Sequence, residues 1–543
     1  MLASMQNQPL LISSLITFAE RHHGDGEIVS RRVEGDLHRC TWRDVGARAR
    51  QIARALDANG LRFGDRVATL AWNGYRHLEL YYGVSGSGRV LHTVNPRLPP
   101  EQIAWIANHA EDKVLCFDLS FLPLVKAIHS KCTTIQQYVA LCDDRHLPAN
   151  SGLPGLASYE SWIAGHAAEY VWPVFDENSA SSMCYTSGTT GKPKAAVYSH
   201  RSTILHAYAV AMPDGFSLSA TESVMPVVPM FHVNAWGIPY GAALSGCKLV
   251  LPGPAMDGKS IYEMMENEQV TCAAGVPTIW QMLLGHVATG NLHFSTLNRT
   301  VIGGAACSAA MLEGFHQRGV TVLHAWGMTE TSPCGTLGAL KRKHLALPAE
   351  ARARIRLKQG RGAFGVDMRI IGADGKEAPW DGKTVGDLQV RGHWVIKEYF
   401  KGDGGDPLTD DGWFRTGDVA TIDEDGYMHI TDRTKDIIKS GGEWISSIEI
   451  ENVAMAHPAV QMAACIGVAH PKWDERPIVV VVRRPGMEIS AADLIGFYEG
   501  KVAKWQIPDD VVFVEAIPIG ATGKMLKGEL RQNLRNYALP VSA

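Results

Sequence analysis

Tyr185-Thr186-Ser187-Gly188-Thr189-Thr190-Gly191-Lys192-Pro193-Lys194 gathers hydroxyls, glycines and two lysines into one short run. Glycine lets a backbone approach a polyanion and turn its N–H groups inward. Ser and Thr hydroxyls and Lys ammonium groups add further donors to phosphate oxygens. Ala180–Tyr185 reads as a strand before the run and Ala195–Tyr198 as a strand after it, so the reading is a strand-to-strand phosphate loop. It is not a Walker A loop. That pattern needs Gly where Thr186 stands and Ser or Thr where Pro193 stands. A solvated Ser/Thr/Gly turn has the same composition, so the weight falls on segments further along the chain.

At 543 residues the chain exceeds what one core organises, and two or more domains are expected. A hydrophobic content of 46%, 20% charged residues and a mean hydropathy of −0.06 describe an ordinary globular protein. A net charge of −4 argues against a nucleic-acid or membrane surface. Leu10–Phe18 lacks a basic region before it and suits an amphipathic helix better than a signal peptide. No apolar run reaches spanning length, and the cytoplasm is the expected compartment. The ten cysteines form no Cys-x-x-Cys pair, which points to buried thiols.

Apolar runs at 66–72, 113–117, 138–142 and 248–251 alternate with helical patterns, as in parallel sheets covered by helices. From about 360 to 432 short strands separated by Gly/Asp turns, at 366–371, 386–391 and 427–430, predict a small β-barrel-like subdomain. After it comes a compact α+β pattern. A capping box at Ser446-Ser-Ile-Glu449 opens a helix, strands come next at 462–467 and 477–483, and a helix starts at Ala491. The expected architecture is α/β: an N-terminal domain over 1–432, a hinge at 433–435 and a small mobile lid over 436–543.

Further segments stand in a fixed order: Met230-Phe-His232-Val-Asn-Ala-Trp236, Gly303-Gly304-Ala305, Trp326-Gly327-Met328-Thr329-Glu330-Thr331, Gly412-Trp-Phe-Arg-Thr-Gly-Asp418, Arg433, Lys439-Ser-Gly441-Gly442-Glu443-Trp444-Ile445, and Thr522-Gly-Lys524-Met-Leu-Lys527. Together with the 185–194 run they resemble the acyl-adenylate-forming superfamily: acyl- and aryl-CoA synthetases, peptide-synthetase adenylation domains and firefly-type luciferases. The resemblance covers nearly the whole chain. It implies that Gly303, Gly304 and Ala305 form the adenine turn, that the Trp326 ring stacks on adenine, and that Thr329 reaches the phosphates. Glu330 and Thr186 are the residues it implies for Mg²⁺, which takes few carboxylates plus substrate phosphates. Asp418 and Arg433 become the ribose pair, Lys435 the Asp-or-Lys hinge residue, and Lys439, Gly441, Gly442, Glu443 and Trp444 the face turned to coenzyme A. Lys524 becomes the catalytic lysine, a cation between an attacking carboxylate and the α-phosphate, with Lys527 as the alternative. His232 gates the acyl tunnel or is a packed core histidine.

Two other signals lead nowhere. Gly360-Arg-Gly362-Ala-Phe-Gly365 follows a charged helix and precedes a strand, the reverse of a dinucleotide turn. The basic stretch from Lys341 to Arg361 is explained by one charged helix face, with a role at the 3′-phosphate of coenzyme A as the alternative. No G-x-S-x-G or H-E-x-x-H motif supports a hydrolase.

The expected activity is an ATP-dependent acid–CoA ligase using ATP, Mg²⁺ and coenzyme A through an acyl-AMP, with a homodimer implied by the family. A carrier-protein acyl-AMP ligase, an O₂-consuming luciferase-like enzyme and a catalytically dead nucleotide-binding regulator are the rivals. Retention of Lys524, Glu330, Asp418 and Arg433 together argues against the last. Trp236 falls where the family lines its acyl tunnel, and Trp326 where Tyr is more usual; two bulky indoles predict a pocket for a short or medium acid. The Ala-Trp-Gly-Met-Thr-Glu and Gly-Gly-Glu-Trp-Ile-Ser variants are similar to the bacterial branch containing 3-methylmercaptopropionate–CoA ligases, of the dimethylsulfoniopropionate demethylation route. A general medium-chain fatty acid is the alternative, since a thioether and its all-carbon analogue have almost one shape.

Overall fold

The computed structural model describes residues 4–186, 192–441, 443–520, 525–535, 537 and 539, and for Glu443 the backbone alone. These residues fall into two compact units. The larger runs up to Thr186 and continues over Pro193–Asp367 and Arg391–Phe414; the smaller takes Met368–Val390 and the chain from Arg415 onward.

Two seven-stranded sheets build the larger unit. One runs Ala157–Ser158, Gln137–Ala140, Asp112–Phe117, Arg66–Leu70, Val90–Thr93, Ala180–Tyr185, Ala195–Ser199. The other runs Thr321–His324, Arg299–Ile302, Cys272–Gly275, Ser223–Pro226, Lys248–Leu251, Glu27–Arg31, Leu37–Thr41. In each, every neighbour is parallel except the last pair, which is antiparallel. The short apolar runs of the sequence become these strands, because a parallel strand covered on both faces needs apolar residues throughout.

Helix Tyr75–Gly86 is buried at all twelve positions and touches a strand of each sheet. Its Tyr81 and Tyr82 hydroxyls donate to the carbonyls of Met230 and Pro239 at 2.5 and 2.7 Å. At Gly83 a Cβ would lie 2.7 Å from Ile52, so only glycine lets helix Trp42–Ala58 approach this closely. The charges buried alongside are paired: Glu79 accepts from Arg48 at 2.7 Å and from the Tyr159 hydroxyl at 2.6 Å. The predicted N-terminal amphipathic helix spans Ile12–His22, with Ile12, Leu15, Ile16 and Ala19 buried. All ten cysteines are free and buried.

In the smaller unit, strands Val366–Ile371, Gly386–Gly392, Phe414–Ile422 and Met428–Arg433 pair in that order into a four-stranded sheet. A five-stranded sheet comes after it. Strands Val460–His470 and Asp474–Arg483 alternate their side chains between two apolar clusters. Ala463, Cys465, Val479 and Val481 pack with helices Ser447–Met455 and Ala491–Phe497, while Ala464, Ile466, Ile478 and Val480 pack with Leu530 of helix Lys527–Asn533. Ser446 caps its helix by accepting from the Glu449 N–H at 3.1 Å. Of the expected capping box only this half forms among the described residues. Compactness groups the four-stranded sheet with the C-terminal residues. An N-terminal domain ending at 432 with a hinge at 433–435 is therefore a proposal about movement rather than a description of packing.

Candidate nucleotide and acyl site

In open parallel sheets ligands bind at the carboxyl ends of the strands, where chain reversals leave a crevice. The candidate residues of the larger unit obey that rule. Strand Ala180–Tyr185 ends at Thr186, Arg299–Ile302 at Gly303, and Thr321–His324 just before Trp326.

Strands Ala180–Tyr185 and Ala195–Ser199 form an antiparallel hairpin, closed by Tyr185 opposite Ala195. At its tip the Thr186 N–H donates to the Lys194 carbonyl at 2.8 Å, and the Lys194 N–H donates to Thr186 Oγ1 at 3.2 Å. The loop is thus a strand-to-strand turn with Thr186 and Lys194 at its two feet; Ser187, Gly188, Thr189, Thr190 and Gly191 lie outside the described residues, and Lys192 is exposed. From the second strand the Tyr198 hydroxyl donates to the Thr329 carbonyl at 2.7 Å, which ties the hairpin to the Thr329–Thr331 turn. Glu330 in that turn is 6% exposed, and its Oε1 accepts from the Tyr399 hydroxyl at 2.7 Å. Burial, then the neighbouring Glu330 carboxylate, pushes the Tyr399 phenol upward. The Thr186 hydroxyl and Glu330 carboxylate offer oxygen donors with a single acid, which fits a hard cation such as Mg²⁺ shared with phosphates.

Residues 233–237 are a left-handed turn, with φ of 46, 50, 48, 57 and 76° at Val233, Asn234, Ala235, Trp236 and Gly237. L-residues pay roughly 1–2 kcal/mol each for such angles, so the surroundings must impose them. They do so through buried Asn234, whose Nδ2 donates to Ser182 Oγ at 3.0 Å and whose Oδ1 accepts from Tyr81 at 3.4 Å. At Gly237 a Cβ would sit 2.6 Å from His206 Nδ1. His206 Nε2 accepts from the Cys334 N–H at 3.1 Å, and burial pushes this imidazole down to about 3. The turn presents the Trp236 indole edge to the Gly303 turn, where a Cβ would lie 3.0 Å from the ring. Gly304 takes φ of 79°, and Ala305 is exposed. His232, half-buried, enters this turn. Trp326 is 7% exposed; its ring covers Gly335, where a Cβ would meet it at 2.5 Å.

The smaller unit carries its own constellation. Asp418 and Arg433 are cross-strand partners, and Arg433 Nε pairs with Asp418 Oδ1 at 2.7 Å. Lys435 is exposed in the turn leading to Ile438. Strands Ile438–Ser440 and Glu443–Ile445 form a hairpin in which exposed Lys439 faces half-buried Trp444. Gly441, at φ 61°, donates from its N–H to the Trp473 carbonyl at 2.8 Å, and a Cβ there would strike the Trp473 ring. Gly442 and Lys524 lie outside the described residues, as does the Glu443 side chain. Lys527 is buried, 2.6 Å from both Glu451 and Ser447 Oγ. Burial works against its charge, but Glu451 and Asp432 outweigh it and hold the ammonium above its ordinary value. Such a lysine is a packing element, so the alternative to Lys524 is withdrawn.

A family model described as AMP-binding enzyme matches residues 17–400, and one described as AMP-binding enzyme C-terminal domain matches 449–524. The chain belongs to the AMP-binding enzyme family. This AMP-binding enzyme is 54% identical over 537 residues, 99% of either chain, to a protein of Ruegeria lacuscaerulensis named 3-methylmercaptopropionyl-CoA ligase. It is 49% identical over 544 residues, 100% of this chain and 99% of the other, to a protein of Ectopseudomonas oleovorans named medium-chain-fatty-acid–CoA ligase. Among solved structures it is similar to ATP-bound MatB from Rhodopseudomonas palustris, with a TM-score of 0.81 and 26% identity over 96% of this chain and 99% of that one. The α/β class expected from the sequence is the fold that these comparisons share. No helix among the described residues is long and apolar enough to cross a membrane. Sequence reading missed Tyr399, Tyr198 and Asn234 in this AMP-binding enzyme. Only Asn234 carried a signal, since Asn tolerates left-handed backbone.

Proposed function

We propose that the chain is an ATP-dependent acid–CoA ligase whose acid is 3-methylmercaptopropionate. Family membership and the names of the near full-length relatives support the reaction class. For the acid, the observation that carries the reading is the Trp236 edge against Gly303, which closes the space beside the turn. A thioether packs well against indole, gaining about 0.3–1.5 kcal/mol per contact.

In the first half-reaction the carboxylate attacks the α-phosphate of ATP, giving acyl-AMP and pyrophosphate. Lys524 offsets repulsion between the two anions, and Thr186 and Lys194 at the feet of the loop face the phosphates. Glu330 and Thr186 hold Mg²⁺, which when bound neutralises phosphate charge. Asp418 and Arg433 take the ribose. In the second half-reaction rotation at Lys435 withdraws Lys524 and presents Lys439, Gly441, Gly442, Glu443 and Trp444 to coenzyme A. The thiol then attacks the acyl carbon and AMP leaves. A homodimer and a cytoplasmic location belong to the same reading.

Assaying a panel of acids with ATP and coenzyme A by AMP release tests it. The expected order places 3-methylmercaptopropionate and straight chains of similar length ahead of octanoate. A preference for octanoate and longer acids would transfer the reading to medium-chain fatty acids, as the name of the Ectopseudomonas relative favours.

A further inference from the structure

Residues 394–404 of the larger unit carry none of the motifs that pointed to the nucleotide, yet they fasten the candidate residues from several directions. The Ile396 N–H donates to the Glu330 carbonyl at 2.9 Å. Three residues on, the Tyr399 hydroxyl donates to the carboxylate of the same Glu330 at 2.7 Å. The Lys194 ammonium sits 4.9 Å from the centroid of the Tyr399 ring. The end of Lys194 also lies where a Cβ at Gly404 would be, 2.2 Å from Nζ, and Gly404 holds φ of 76°. On the other flank Lys401 Nζ donates to the His109 carbonyl at 2.9 Å, and His109 Nδ1 is hydrogen-bonded to the Tyr185 hydroxyl at 2.7 Å. One short segment thus reaches the acid turn and the Lys194 foot of the phosphate loop, and through His109 the first strand of the hairpin.

The chemistry of a phenol at this spot is distinctive. A buried carboxylate needs a donor to fix its orientation. Lys or Arg would supply one but would also cancel the charge that a metal requires. Tyrosine donates while remaining neutral. Its ring, meanwhile, offers a cation a π face that holds the ammonium without discharging it. Tyr399 therefore contacts both a lysine at the foot of the phosphate loop and the acid of the adjoining turn, two groups of opposite charge.

We infer that Tyr399 is a positioning residue, which aims Glu330 at the metal through its hydroxyl and keeps Lys194 directed to the phosphates through its ring. This rests on the proposed roles of Glu330 at the metal and Lys194 at the phosphates. The residue touches neither substrate nor reacting atoms in this role; it acts through the two side chains that do.

The test uses Mn²⁺ as the metal and α,β-methylene-ATP as the nucleotide on the full chain. Metal binding is read by electron paramagnetic resonance and nucleotide binding by calorimetry, with and without metal. Y399F keeps the ring and loses the donor. It is expected to weaken Mn²⁺ about 10- to 100-fold, the range for loss of a group that orients a metal-binding side chain, while metal-free nucleotide binds as in the wild type. Y399L loses the ring as well and should also weaken metal-free nucleotide. In E330Q, adding Y399F should produce no further loss of Mn²⁺. Wild-type metal affinity in Y399F would overturn the proposal, as would an additive loss in the double variant or a Y399F that fails to fold. Wild-type protein that binds no nucleotide would instead overturn the functional reading, and this proposal with it.

Discussion

Trp236 meets two demands at once: a left-handed backbone and an indole wedged against Gly303. If the ring caps the acyl tunnel, Trp236→Ala opens room for longer chains. Each added methylene then gains about 0.8 kcal/mol, about fourfold in kcat/KM, and octanoate rises relative to short acids. If the ring is only core, the variant loses about 3–5 kcal/mol of stability with its length profile unchanged. Profiles over straight-chain acids alongside the melting temperature separate these outcomes. Lys524→Ala is expected to slow acyl-AMP formation by about 10²–10³ while sparing thioester formation from supplied acyl-AMP, because its charge is needed only in the first step. Equal losses in both steps would remove Lys524 from the chemistry. Glu330 and Asp418 stand out in sequence as candidates because each sits in a short run with its own spacing. Tyr399 does not. Its partner lies 69 residues away, and Glu398-Tyr399-Phe400 has no pattern that names a role.

The element that sequence reads least well is the turn over 233–237. Its residues stand out as a motif, but positive φ at Val233, Ala235 and Trp236 contradicts local preference, Val233 most of all. Side chains distant in sequence impose it: Tyr81 from a buried helix and Ser182 from a strand. Asn234 and Gly237 suit left-handed backbone, and at Gly237 space is also short. Gly237→Ala is expected to combine the cost of a left-handed alanine with an overpacking cost of about 1–3 kcal/mol against His206. Gly60→Ala is the comparison, since Gly60 has φ of 73° and nothing within 4 Å of the new methyl. Equal drops in melting temperature for the two variants would show that His206 yields without cost. The hairpin around the phosphate loop, by contrast, is legible, because two β-rich runs bracket a turn-rich one.

For the whole molecule, the alternation of strands and helices announces the α/β class, but not the partition of the β region between 366 and 433, since compactness depends on contacts that no local pattern encodes. Buried histidines set an acid limit that can be measured. Burial depresses His77 and His200 to about 4 and His206 to about 3, while the unfolded chain protonates near 6.5. Above that value the three contribute nothing to pH dependence. Below it the unfolded state binds protons that the native state refuses, so stability falls as pH drops from about 6.5 towards the native values. The slope approaches about 1.4 kcal/mol per pH unit for each group, hence about 4 for three. Melting curves between pH 7 and 5 should show the decline, and His206→Gln, which keeps an acceptor for Cys334, should flatten it by about one third. Identical slopes would mean that His206 titrates normally.

The helix Tyr75–Gly86, buried at every position and touching both large sheets, bears on how this protein can be recombined. Two sheets of equal strand number look like separable modules. This helix packs against both, so its residues must fit both neighbours together. A chimaera that takes one sheet from a relative inherits half of a fitted joint, so crossover points in the larger unit should keep this helix and both of its walls from a single parent.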